Sequence, residues 1–318
     1  MKIGFIGLGN AGGKLCGSLV RNGYDVTLRD LDRTQAEPLL ARGAAWADTP
    51  KELAEAVDMV ITCLPSPAAS AAVMEADDGI LAGLSEGKIW AEMSTTDEAE
   101  VKRLGALVTG LGAEPIDCPV SGGCHRAATG NIAIFAGGER ATFERALPAL
   151  TTMGRRILHT GRLGSASVLK VVTNYLASVH LAAVGEALMT AKQAGMDLAT
   201  TYEAIRISSG NSFVHETESQ VILNGSYNIN FTMDLVIKDM SLFQAVADRA
   251  EVPLEISPVV MKIFEEGQER YGAREWSSAI VRRLEDACGT DLRAPGFPEE
   301  MIDTEPEEPG AEVIVTRS

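Results

Sequence analysis

The sequence predicts an α/β fold in two parts, a doubly wound N-terminal sheet followed by an all-α C-terminal domain. Two observations carry this. Up to about residue 160, short β-rich runs alternate with alanine-rich helical stretches. After Gly161 the texture changes: Ser165 to Gln193 is nearly free of Gly and Pro and places apolar residues at helical spacing.

The expected strands are Lys2 to Ile6, Asp25 to Arg29, Met59 to Cys63, Lys88 to Glu92, Glu114 to Asp117 and Ile132 to Ala136. Gly12 to Arg21, Arg33 to Gly43 and Pro50 to Ala56 are long enough for the crossovers that parallel strands require. Ser165 to Gln193 predicts a helix of about 40 Å, at about 1.5 Å per residue. Thr200 to Ile207, Thr232 to Arg249, Ser257 to Tyr271 and Ser278 to Ala287 continue in helical periodicity. From Arg293 onward Pro, Glu and Asp dominate, a composition with little apolar surface to bury. The expected organisation is therefore a sheet domain over 1–162, a helical domain over 163–291 and a loose acidic tail over 292–318.

With 318 residues, 46% of them hydrophobic and 23% charged, the chain suits about two domains. A formal net charge of −16 argues against nucleic acid or an anionic membrane as partner, because both would repel it. No uninterrupted apolar stretch of about 18 residues exists, and Met1-Lys2-Ile3-Gly4-Phe5-Ile6 leads directly into a glycine turn, so a cytoplasmic protein is expected. The five cysteines and four histidines are scattered without metal-ligand or triad spacing; reduced thiols and no metal are expected.

Gly7-Leu8-Gly9-Asn10-Ala11-Gly12 lies directly after the first strand and opens the first helix, where a dinucleotide fingerprint has to lie. Gly7 would permit the tight turn, Gly9 would let the backbone approach a pyrophosphate, and Gly12 would allow close helix packing. Asp30, about twenty residues further on at the end of the second strand, is placed to accept from a ribose 2′-hydroxyl and repel a 2′-phosphate, or is a solvated loop acid like Asp32. A Rossmann domain is expected, with NAD preferred over NADP.

Further motifs follow in order: Cys63-Leu64-Pro65, Met93-Ser94-Thr95, Asp117-Cys118-Pro119-Val120-Ser121-Gly122-Gly123, the run from Gly161 to Asn174, and Lys238-Asp239. Together, over residues 1 to 290, they resemble the β-hydroxyacid dehydrogenase family, which includes 3-hydroxyisobutyrate dehydrogenase. The resemblance implies an NAD-dependent oxidoreductase that interconverts a small 3-hydroxy acid, or a related hydroxy acid or sulfonate, with its semialdehyde. It implies cofactor contacts at Leu64, Pro65, Thr95 and Lys238, and substrate contacts at Ser121, Gly122, Gly123 and Asn174. Lys170 is implied as the general acid/base, and a homodimer or homotetramer as the assembly.

Residue chemistry stands beside this. Ser121-Gly122-Gly123 offers a hydroxyl and open backbone N–H groups suited to a carboxylate, or is a plain turn. Lys170 and Asn174, four residues apart, project from one helix face, where a partly desolvated lysine is suited to proton transfer and a solvated one is merely surface. Cys124-His125-Arg126 departs from the small residues common in the family at that point. Arg126 either meets a second anionic group on the substrate or is an exposed loop residue. Two other readings share the architecture: an imine reductase, which would typically lack the lysine, and a catalytically silent dinucleotide-binding protein.

Overall fold

The computed structural model describes residues 1–316. Met1–Lys170 together with the chain from Asp303 onward forms one unit, and Val171–Ile302 forms a second.

The first unit is built on ten strands: β1 (Ile3–Ile6), β2 (Val26–Arg29), β3 (Ala45–Trp46), β4 (Met59–Thr62), β5 (Ile89–Glu92), β6 (Glu114–Asp117), β7 (Val120–Ser121), β8 (Ile132–Gly137), β9 (Gly154–Gly161) and β10 (Ala311–Glu312). Their order is β10-β9-β8-β6-β5-β4-β1-β2-β3, with β7 paired to β8. Strands β3 to β6 in this order run parallel, while β8 meets β6 antiparallel at Asp117 and Gly137. Every residue of β1, β4 and β5 is buried, which fits a parallel sheet covered on both faces. One face packs Phe5, Leu15, Leu19, Leu28 and Phe143; the other packs Leu53, Val60, Trp90, Leu104 and Val108. Each such large side chain contributes about 1.5–3 kcal/mol by leaving water. Chain order reverses between β1 and β4, so the sheet has a switch point there, where ligands bind beyond the strands' carboxyl ends.

All six expected strands are present. β3, β7, β9 and β10 are additions; in β9 the opening Arg155 and Arg156 hide the strand pattern, although Ile157 is fully buried. The second unit is helical, as expected. The helix Ser165–Gln193 enters it and is followed by Leu198–Arg206, Phe213–Asn224, Met233–Arg249, Ile256–Tyr271 and Arg282–Cys288. Its core gathers Leu188, Tyr202, Ile222, Met240, Phe264 and Ile280. Phe213–Asn224 is not visible in the apolar periodicity because polar residues occupy its buried face: His215 and Ser219 are buried and bonded to each other at 3.0 Å. By length and composition Ser165–Gln193 would pass for a membrane span, yet Asp117 of the sheet unit caps its first turn.

The boundaries differ from those expected at two points. The division falls inside the long helix, after Lys170 rather than after residue 162. The segment expected as a loose tail over 292–318 is docked along the described residues. Leu292 is fully buried, Arg293 bonds Glu285 and Tyr227, and Phe297 packs edge-on to Tyr202, all within the helical unit. From Asp303 the chain lies on the sheet unit and adds β10 beside β9. Composition counts only apolar burial, whereas this segment is held by strand pairing and by pairs such as Glu312 with Arg140.

Candidate functional site

Gly7, at φ +94°, makes the turn after β1 in a region closed to other residues by strain. A Cβ on Gly7 would stand 2.3 Å from the Cys63 carbonyl oxygen, and one on Gly12 would stand 2.0 Å from the Gly7 carbonyl oxygen. A Cβ on Gly9 would meet nothing within 4 Å. Two glycines are therefore needed for packing within the protein, and the third leaves an open backbone face on an exposed loop. Leu8 is buried, Asn10 exposed and Ala11 half-buried. A pyrophosphate would find open backbone here, at the N-terminus of the helix Gly12–Arg21.

Asp30 supports the same loop. Its Oδ2 accepts from the Leu8 N–H at 2.6 Å and its Oδ1 from the Asp32 N–H at 2.9 Å. A carboxylate has about four lone-pair sites, so it retains capacity for ribose hydroxyls. Asp32 does different work: it caps the turn Arg33–Ala36 by accepting from the Thr34 N–H. Leu31 between them is 99% exposed and brings no cation. The Arg29 and Arg33 guanidinium groups lie 5.3 and 5.1 Å from the centroid of the Trp46 ring.

The loops after β4 and β5 are tied together. Ser94 Oγ accepts from the Leu64 N–H at 2.7 Å, and the Ser94 N–H donates to Glu92 Oε1 at 2.8 Å. Pro65 is exposed and Thr95 half-buried beside this connection. Glu92 is 1% exposed; burial pushes its carboxyl above the usual range against the pull of the Ser94 hydrogen bonds.

Asp117 ends β6 and leads into the turn that carries Ser121, Gly122 and Gly123. Its carboxylate accepts from the Gly164 N–H at 2.8 Å, the Ser167 N–H at 2.7 Å and the Ser167 hydroxyl at 2.8 Å. These are the free donors of the first turn of Ser165–Gln193. Burial raises the Asp117 carboxyl, and the same hydrogen bonds oppose the rise. Asp117 thus fixes the start of the helix on which Lys170, 7% exposed, stands. Gly122 and Gly123 take φ +124° and +87°, and a Cβ on Gly123 would stand 2.7 Å from the His125 ring. Burial, together with Arg126 and Lys14, holds His125 below the usual histidine range. Arg126 pairs with Glu305 at 3.4 Å, so its charge is partly met within the chain.

On the sheet unit the structure therefore gathers the glycine loop, Asp30, Leu64, Pro65 and Thr95 at the ends of the neighbouring strands β1, β2, β4 and β5. Ser121 to Gly123 follow β7, and Lys170 follows the Asp117 cap. Asn174 lies one turn after Lys170 on the same helix. In the helical unit its Nδ2 donates to Asp239 Oδ2, and Lys238 pairs with Asp239 Oδ1 at 2.8 Å. Sequence reading missed the supporting roles of Asp117, Ser167, Ser94 and Asp239. Asp117 and Asp239 lie within sequence motifs, but only folding reveals which donors they meet.

Residues 2–161 match the family described as the NAD binding domain of 6-phosphogluconate dehydrogenase. Residues 164–284 match the family described as the NAD-binding domain of NADP-dependent 3-hydroxyisobutyrate dehydrogenase. The chain is 31% identical over 293 residues to 2-(hydroxymethyl)glutarate dehydrogenase of Eubacterium barkeri, covering 92% of this chain and 97% of that one. It is 30% identical over 269 residues to mitochondrial 3-hydroxyisobutyrate dehydrogenase of Rattus norvegicus, covering 82% and 80%. Among solved structures, 3-hydroxyisobutyrate dehydrogenase from Salmonella typhimurium superposes with a TM-score of 0.82 at 28% identity, covering 89% of this chain and 99% of that one.

Proposed function

The chain belongs to the β-hydroxyacid dehydrogenase family of NAD(P)-dependent oxidoreductases acting on CH–OH groups, and from that premise we propose that it interconverts a small 3-hydroxy acid, or a related hydroxy acid or sulfonate, with its semialdehyde, using Lys170 as general acid/base. The observation that carries the reading is the joint anchorage at Asp117. The same residue caps the helix bearing Lys170 and leads into Ser121-Gly122-Gly123, so proton transfer and carboxylate binding are set from one point.

NAD, when bound, would supply the hydride acceptor for oxidation and, in its reduced form, the hydride donor for reduction. Lys170 Nζ takes the hydroxyl proton in the first direction and gives it back in the second. Asn174, on the same helix face, orients the substrate oxygen, and Asp239 fixes the Asn174 amide. The Ser121 hydroxyl and the backbone N–H groups at Gly122 and Gly123 hold the acid group. Asn10, Ala11, Leu64, Pro65, Thr95 and Lys238 would be the residues that hold the cofactor.

NAD is preferred over NADP in this reading. Asp30 repels a 2′-phosphate, Leu31 supplies no counter-charge, and Arg29 and Arg33 are stacked on Trp46. A homodimer or homotetramer is the assembly, supported by the exposed Leu176, Ala183 and Ala187 at heptad-like spacing on the long helix; light scattering reads it directly.

The test is pre-steady-state hydride transfer with 3-hydroxyisobutyrate, serine, glycerate, 4-hydroxybutyrate and sulfonated analogues, with either cofactor. Lys170→Ala should lower turnover at least about 100-fold with NAD affinity almost unchanged, and Lys170→Arg should fail nearly as badly because guanidinium keeps its proton. Hydride transfer in Lys170→Ala within about tenfold of the parent refutes the assignment.

A further inference from the structure

The chain from Asp303 to Glu312 forms a strap across the sheet unit, beyond residue 284, where the matched family segments end. Asp303 Oδ2 accepts from the Thr129 hydroxyl and, at 2.7 Å, from Asn131 Nδ2. Asn131, 5% exposed, also donates to the Glu305 carbonyl at 3.1 Å. Glu305 pairs with Arg126, while Glu307 accepts from Arg21 and Asn22, each at 2.9 Å. Burial works against ionisation of Asp303, yet the Thr129 and Asn131 hydrogen bonds and nearby Arg126 hold its carboxyl below the usual range.

The grip falls at a telling place. Thr129 and Asn131 flank Gly130, whose left-handed φ of +75° ends the helix Cys124–Thr129. That helix has six residues, and its N-cap Gly123 directly follows Ser121 and Gly122. Gly123 gives it no side-chain cap. A helix of this length does not hold itself in water; outside contacts must fix it. β8 starts immediately after Asn131 and pairs with β7, Ser121 facing Ala133. Both elements that border the Ser121–Gly123 turn therefore run through the short segment that Asp303 holds.

We propose that Asp303 is a positioning residue: through Thr129 and Asn131 it sets the short helix, and with it the Ser121–Gly123 turn and Arg126, in the place where the acid group of the substrate is held. This rests on the reading of that turn as the substrate loop. It assigns to the C-terminal strap a part in substrate affinity and none in cofactor affinity.

The experiment compares the full chain with Asp303→Ala, Asp303→Asn and Thr129→Val, the last a near-isosteric change that keeps the strap intact should the others fold poorly. Three quantities are read: kcat and KM for the acid, NAD affinity, and hydrogen exchange of the 122–131 amides. For Asp303→Ala, KM should rise about tenfold while kcat stays within about threefold, NAD affinity stays within about twofold and exchange over 122–131 quickens about tenfold. Asp303→Asn, which keeps one acceptor oxygen, and Thr129→Val, which removes one donor, should fall between. Unchanged exchange overturns the proposal whatever the kinetics show. Quickened exchange with unchanged KM overturns it as well, because the loop would have moved without consequence for the acid. Failure of the parent to turn over any hydroxy acid is seen before a variant is made; it removes the dehydrogenase reading itself, and the substrate role of the strap with it.

Discussion

Replacing Asp117 by Ala should weaken the sheet unit and the long helix together. The carboxylate accepts three hydrogen bonds, from the Gly164 N–H, the Ser167 N–H and the Ser167 hydroxyl. The hydroxyl can turn to another acceptor, but the two N–H groups are fixed and buried. Each buried donor left without a partner costs about 1–3 kcal/mol, which gives roughly 2–6 kcal/mol in all. Part of this is offset, since burial already pushes the Asp117 carboxyl up and its removal relieves that unfavourable desolvation. A net loss of about 2–4 kcal/mol is expected, hence a fall of roughly 4–16 °C in melting temperature at about 2–4 °C per kcal/mol. Differential scanning calorimetry with urea unfolding measures it. Asp117→Asn should recover at most about half, because one amide N–H then faces a donor. Lys170 stands six residues after Gly164, so fraying of this turn should also lower turnover by about tenfold or more with NAD affinity retained. A variant melting within about 2 °C of the parent, with normal turnover, would show that the cap does not anchor the helix.

Asp30→Asn combined with Leu31→Arg should move preference toward NADP, read as the ratio of kcat/KM for the two cofactors; an unchanged ratio would place discrimination elsewhere. Gly9→Ala should fold with stability within about 1 kcal/mol of the parent yet bind NAD more weakly, because its Cβ enters open space where the pyrophosphate would lie. Gly12→Ala should instead destabilise by more than about 2 kcal/mol, since its Cβ would strike the Gly7 carbonyl; calorimetry and fluorescence titration separate the two effects. Glu92→Gln should alter the pH dependence of stability. The folded carboxyl titrates above its ordinary value of 4.5, so from that pH upward, until the folded group also ionises, the unfolded chain has lost a proton that the folded one keeps. Stability conferred by Glu92 therefore falls as pH rises through that window, and the parent should lose ground to Glu92→Gln there; parallel stability curves would contradict it.

Much of the sheet unit is legible in the sequence because its signals are local. Four-residue apolar runs such as Met59–Thr62 are buried on both faces, and the glycine spacing from Gly7 to Gly12 states directly where a Cβ is not tolerated. The helix Phe213–Asn224 is illegible for the opposite reason: its buried His215 and Ser219 satisfy each other only after folding, so no apolar stripe announces it. The same holds for Asp30 and Asp32, indistinguishable as neighbouring acids until one meets the Leu8 N–H and the other caps a turn.

By itself, then, the sequence determined six of the strands, the glycine-rich turn, the helix face shared by Lys170 and Asn174, and the family, because each depends on residues close together in the chain or on motifs in fixed order. Tertiary structure alone decided that Asp117 caps the helix of Lys170 from 47 residues away, and that Asp303 reaches Asn131 from 172 residues away. It also decided that an acidic segment with little apolar surface lies along the sheet as β10. A hydrogen bond or ion pair forms between whatever partners the fold brings within about 3 Å, and nothing in the spacing of residues along the chain encodes that distance.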